Sequence, residues 1–378
     1  MVSPSSVRLG RAVLLAALLA GVPARALISL EAGKDQLFVT TTLAAGYDSN
    51  LFANANGSGD SFSSLDVTAE FLRHAGLIAL DATLSVDASR YNRLHAEDFQ
   101  NPSLHATFTK ATGRTTGALS VGVSRQSRAD TAANLRDASW LYETSLALKY
   151  PVIERYSLSA SAGYQLRDFI DNSTLVDLST YSAGTDLFYH YSSDRDLLAG
   201  YHFSEDETAA RSRNFDHALT VGVSGRLLAS IKGQLRAGYE IRVPAAGPDG
   251  TFSAWTADGS AVWTITKRWH FTGRVSRDFS TTSTNLSVNT LAAGVDAEYA
   301  FNAKTALFTG MSGSGTDYLG QAGANRHDTA WTWNLGINRT LTDHVKLTVD
   351  KVFSQTWSTL AFSDYIRRSV SASLVARF

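Results

Sequence analysis

The chain has 378 residues, no cysteine, and 34 Lys and Arg against 35 Asp and Glu. The missing cysteine excludes a disulfide framework, a thiolate metal site and a cysteine nucleophile. The balanced charge gives no basic patch of the kind a nucleic-acid partner requires. The first element is a leader. Arg8 and Arg11 precede an apolar run from Ala12 to Val22, and Ala24-Arg25-Ala26 follows. This is the layout of a secretory signal peptide cleaved after Ala26. The run is too short for a spanning helix, which needs about 20 apolar residues. Removing residues 1–26 takes away three Arg and no acid, so residues 27–378 form a mildly acidic single domain.

That domain alternates apolar and polar residues. In the last segment Val370, Ala372, Leu374, Ala376 and Phe378 are apolar, while Ser371, Ser373 and Arg377 lie between them. Gly233 to Ile241 and Leu291 to Tyr299 repeat the pattern. Period two is a strand with one greasy and one wet face. About 18 such segments (16 remain possible), each roughly 10–13 residues long, suit tilted membrane strands. In chain order they centre near Thr41, Val67, Ala82, Ala106, Val121, Thr144, Ala162, Ala183, Ala199, Val221, Ala237, Ala257, Thr272, Ala293, Leu307, Leu335, Val349 and Ala372. The Leu307 segment is the poorest match, because Phe308 falls on its wet face.

Brief turns such as His74-Ala75-Gly76 and Asn302-Ala303-Lys304 alternate with longer polar connections. The long ones are expected at Asp48 to Asp60, Arg128 to Asp137 and Ser312 to Asp328. Short periplasmic turns alternating with longer outer loops mark an outer-membrane barrel, and an even strand count puts both termini in the periplasm. Pro102 is expected to open a segment, Pro151 to sit in a turn, and Pro244 and Pro248 to share a loop, so no proline interrupts a ladder. The seven Trp are expected near strand ends as interfacial girdles. A bilayer offers no water to an open sheet edge, so the strands must close. The fold expected is a transmembrane up-and-down antiparallel β-barrel. The short stretch between Ala26 and the first strand leaves no room for a plug domain.

The wet faces carry the candidate functional residues. Acids at Asp66, Glu70 and Asp81 fall on early strands, with Asp296 and Glu298 later; the bases Lys232, Arg236, Arg242 and Arg274 group on the eleventh and thirteenth. Facing rows of opposite charge would filter solutes; the alternative is that they pair across strands. Ser and Gly elsewhere suggest a wide, weakly sticky lumen. The histidines at 105, 190, 202, 217 and 270 form no local motif with a Ser and an acid, and neither a zinc-protease motif nor a P-loop occurs. No catalytic, metal or cofactor site is expected.

Two resemblances add to this. The segment ending in Leu374 and Phe378 resembles the assembly signal of outer-membrane barrels, implying the barrel assembly machinery and outer-membrane lipids as partners. Tyr47-Asp48-Ser49-Asn50-Leu51-Phe52 resembles the opening of the β-barrel porin 2 family, many of whose members are similar to barrels encoded in exopolysaccharide clusters. That resemblance implies a porin-like channel, or an exopolysaccharide exit working with polysaccharide export components. For Asp48 and Asn50 themselves, a turn is the simpler role. A non-conducting structural or adhesion barrel remains the alternative to both.

Overall fold

A computed structural model describes residues 28–30, 35–74, 76–133, 135–170, 174–246, 250–320 and 326–378. The leader lies outside these residues. A three-residue strand β1 (Ile28–Leu30) precedes eighteen long ones. In order these are β2 (Asp35–Asp48), β3 (Asp60–Arg73), β4 (Ala79–Tyr91), β5 (Phe99–Lys110), β6 (Thr116–Asp130), β7 (Leu135–Ile153), β8 (Tyr156–Phe169), β9 (Leu178–Ser192) and β10 (Arg195–Thr208). The second half runs through β11 (Arg213–Leu228), β12 (Ile231–Pro244), β13 (Phe252–Thr264), β14 (Trp269–Thr281), β15 (Ser287–Asn302), β16 (Thr305–Tyr318), β17 (His327–Thr340), β18 (Val345–Ser358) and β19 (Tyr365–Arg377).

Each long strand pairs antiparallel with its sequence neighbours, and β19 closes on β2, from Ser369 opposite Asp48 to Arg377 opposite Thr40. The result is a closed eighteen-strand barrel. Every segment centre read from the periodicity falls within its own strand. The seam is finished at Phe378, whose backbone exchanges hydrogen bonds with Val39 (2.9 and 3.0 Å). Below it β1 pairs with Asp35 to Leu37, covering the length of β2 that β19 does not reach.

Most strands are longer than the roughly 10–13 residues expected, and the range runs from 12 in β5 to 19 in β7. The loops shrink accordingly. Arg128 and Asp137 are not loop ends but register partners on β6 and β7, and β16 runs on to Tyr318. Pro151 stands in β7 beside a register shift rather than in a turn. Pro102 lies inside β5 opposite Val86, just before the β5–β6 ladder begins at Ser103, so its missing N–H interrupts no bond on that side.

Register fixes the facing. Leu235, Tyr239 and Val295 lie on the outward row and are exposed, as an apolar surface meant for lipid should be. All seven Trp share that row. Trp263 and Trp269 mark one end and Trp140, Trp255, Trp331 and Trp357 the other, whereas Trp333 lies mid-strand because β17 starts early. Leu374 is outward too, packed against Val345, Ala376 and Phe378, and the His344 ring stacks on Phe378 at 5.6 Å. Phe308 does point inward. It is accommodated because its register partner is Gly336, where any Cβ would collide with the phenyl ring.

Candidate functional site

The inward row is polar, and Asp66, Glu70, Asp81, Lys232, Arg236, Arg242, Arg274, Asp296 and Glu298 all lie on it. They do not meet in one place. Asp66 stands opposite Asp87, Glu70 is bound by Arg377, and Asp81 meets His74 at 2.9 Å. The basic residues are not a free row, because most are neutralised. Arg236 binds Asp186 through both terminal nitrogens (3.0 and 3.1 Å), and His202 leans on the same carboxylate at 3.2 Å. Arg274 pairs with Asp296 at 2.9 Å.

Arg242 is fully buried. It donates to Asp216 (2.6 and 2.7 Å), Asp206 (2.8 Å) and the Ser280 carbonyl (2.7 Å), and lies over the Phe279 ring. The upper end of β14 reaches it because the β13–β14 ladder ends at Arg277. Among these bases Lys232 alone has no ion pair among the described residues and is exposed.

The site that sequence reasoning missed is at the barrel end opposite the termini. There the mouth is crossed rather than open. Arg326, just before β17, donates to the Ala132 and Thr131 carbonyls of the β6–β7 connection, both at 3.1 Å. In an eighteen-strand ring these connections stand on nearly opposite walls. The Arg326 guanidinium also binds Asp328 (2.9 Å) and lies 4.0 Å over the Tyr318 ring. A second tie joins Val176 to the Ser283 carbonyl at 2.9 Å, linking the β8–β9 and β14–β15 loops.

Beneath these ties is a cavity of about 450 Å³, walled by β6, β8, β9 and the strands from β14 onward. Its lining is rich in hydroxyls, among them Thr290, Ser314 and Thr316, with Arg128 and Arg167 projecting from β6 and β8. Arg167 is held by Asp130 at 3.6 Å, by Ser139 at 3.2 Å, and against Phe169. Arg128 is exposed to the cavity and makes no hydrogen bond or ion pair among the described residues. Ser283 is 5 % exposed, and its hydroxyl has no partner among the described residues. An unpaired guanidinium among hydroxyls can hold an anionic, hydroxylated solute. A lone cue could have pointed here: Arg167 and Phe169 are two residues apart on one face at a strand end. The partners that make the mouth lie far away in sequence, so pattern alone could not assemble them.

The family-like segment is structural. Arg367 clamps Asp48 (2.9 Å to one oxygen), Asp48 accepts the Asn50 N–H at 3.0 Å, and the Asn50 side chain donates to Asn54 and Ile366 carbonyls. In the next loop, burial opposes the charged form of Asp98. The Tyr91 N–H (2.7 Å) and the Arg90 guanidinium (3.0 Å) outweigh it and hold the carboxyl below the usual range.

One histidine does meet a serine and an acid. His190 bonds Ser157 through Nε2 (2.8 Å) and Asp196 through Nδ1 (2.7 Å). The order is that of a hydrolytic triad, but a nucleophile must meet its substrate and Ser157 is only 3 % exposed. The relay braces β8, β9 and β10.

Comparison with known proteins finds the fold and no more. No family model matches the chain, and no curated protein does. Among solved structures, OccK2 (OpdF) of Pseudomonas aeruginosa, in complex with glucuronate, aligns at TM-score 0.51 and 11% identity, covering 91% of this chain and 98% of that one. OpdK of the same organism, solved with vanillate and elsewhere described as an outer membrane protein, aligns at TM-score 0.50 and 11% identity, covering 90% and 99%.

Proposed function

We propose that this protein is a porin-like channel of the outer membrane that passes small hydrophilic solutes, with its termini in the periplasm and anionic groups held at the mouth by Arg128. The reading is carried by one observation: a closed barrel with an apolar exterior encloses a hydroxyl-lined cavity in which a guanidinium stands unpaired. Lipids would contact the outward row, and the barrel assembly machinery would read the Leu374–Phe378 end. The vanillate and glucuronate of the fold neighbours make small carboxylates the first solutes to try.

Exopolysaccharide exit has the Tyr47–Phe52 resemblance as its support. The ties across the mouth weigh against passage of a polymer. Liposome swelling with purified protein tests the proposal. Glucuronate should enter faster through the wild type than through Arg128→Gln, and equal rates for the two would refute the role of Arg128. Liposomes that never swell would refute the channel.

A further inference from the structure

A second cavity, of about 320 Å³, is walled by β8 to β14 and has the opposite electrical character. Four acids line it: Asp216, Glu240, Asp258 and Asp278. Arg242 satisfies Asp216. The basic side chains on the lining, Arg236 and His202, both bind Asp186, which lies outside it. Among the described residues, Glu240, Asp258 and Asp278 therefore have no ion-pair partner on this lining.

Glu240 on β12 and Asp278 on β14 share this lining, where the β13–β14 ladder has already ended at Arg277. Glu240 is 3 % exposed, yet its Oε2 has no partner among the described residues. Thr220, 9 % exposed on the same lining, also has an unpartnered hydroxyl. Leaving buried acceptors unsatisfied is unfavourable, so both point to a donor that belongs there.

We propose that this cavity binds the ammonium group of a small amine-bearing solute, with Glu240 Oε2 and Thr220 Oγ1 accepting its hydrogen bonds and Asp258 and Asp278 supplying the countercharge. A metal ion fits less well, since among the described residues no group of three His, Cys, Asp or Glu is close enough to hold one. An ammonium carries three diverging donors and no acceptor, which suits acceptors spread around a cavity. Asp258 is exposed at the cavity's edge, leaving a way in from the lumen. The assignment is independent of whether the barrel conducts.

The test is calorimetric titration of the purified, detergent-solubilised protein with ethanolamine and glucosamine, against glucose and N-acetylglucosamine as neutral controls. The two amines should bind and the two neutral sugars should not. Glu240→Gln and Thr220→Val should each weaken amine binding by about tenfold, which corresponds to about 1.4 kcal/mol. Asp258→Asn, at an exposed position, should also weaken it and guards against a folding defect in the buried variants. The proposal is overturned if neither amine binds, if the neutral sugars bind equally well, or if all three variants bind as the wild type does.

Discussion

Replacing Arg242 by Met should destabilise the barrel more than any other single inward substitution. The guanidinium is fully buried, and it is the only cation within reach of Asp206 and Asp216 among the described residues, which are 5 % and 2 % exposed. Methionine fills much of the volume but leaves both carboxylates without a countercharge. Breaking a buried ion pair from one side costs about 3–5 kcal/mol. Lysine should not rescue it, because the three donors of an ammonium cannot replace the five bonds that the guanidinium fork makes to Asp216, Asp206, Ser280 and Thr281.

The triple variant Arg242→Met, Asp206→Asn, Asp216→Asn should recover most of the loss, since a neutral replacement removes the stranded charges as well. Urea unfolding in lipid vesicles, followed by tryptophan fluorescence, reads the difference. A loss under about 1 kcal/mol for Arg242→Met, or a triple variant no better than the single one, would show that the cluster is hydrated and that the stranded-charge reasoning is wrong.

Other outcomes follow from the same structure. Val295→Arg, on the lipid row, should cost about 2–4 kcal/mol if it sits near the midplane, and Ser373→Arg, on the inward row, much less; equal costs in the urea assay would mean the register is off by one. Phe378→Ser should block insertion, because the ring packs with Val345, Leu374 and Ala376 and stacks on His344; normal heat-modifiable migration of the variant on gels would refute this. For Asp98, whose carboxyl is held below its usual range, the stabilisation is present above the unfolded value of about 3.9 and is lost as pH falls through the depressed folded value. Asp98→Asn should therefore lower Tm at pH 7 and narrow its gap to the wild type toward pH 3, as differential scanning calorimetry would show.

The eighteen strands were legible because closure forces every strand to present one face to lipid and one to the interior, so the alternation repeats often enough to count. Phe308 looked anomalous only because Gly336, the residue that makes room for it, is a cross-strand partner. Strand ends were misplaced for a physical reason. Above the lipid the ladder continues while the alternation is no longer required, so Arg128 and Asp137 resembled a loop although they are paired.

Facing followed from period two, and the inward positions of Arg236, Arg242 and Arg274 came with it. Their partners did not, because Asp186 and Arg236 are three strands apart and nothing local announces the pair. The mouth was the least legible part. Arg326 bonds to carbonyls nearly two hundred residues earlier in the chain, and backbone acceptors leave no mark on a side-chain pattern.

Single-channel recording in planar bilayers tests the central claim most directly, with Arg326→Ala beside the wild type. Arg326 ties the β17 wall to the β6–β7 connection, so its loss should widen the mouth. The wild type should give small, discrete conductance steps and the variant larger ones. A wild type and a variant that both stay silent would contradict the channel; equal steps from the two would contradict the crossed mouth as its narrowest point.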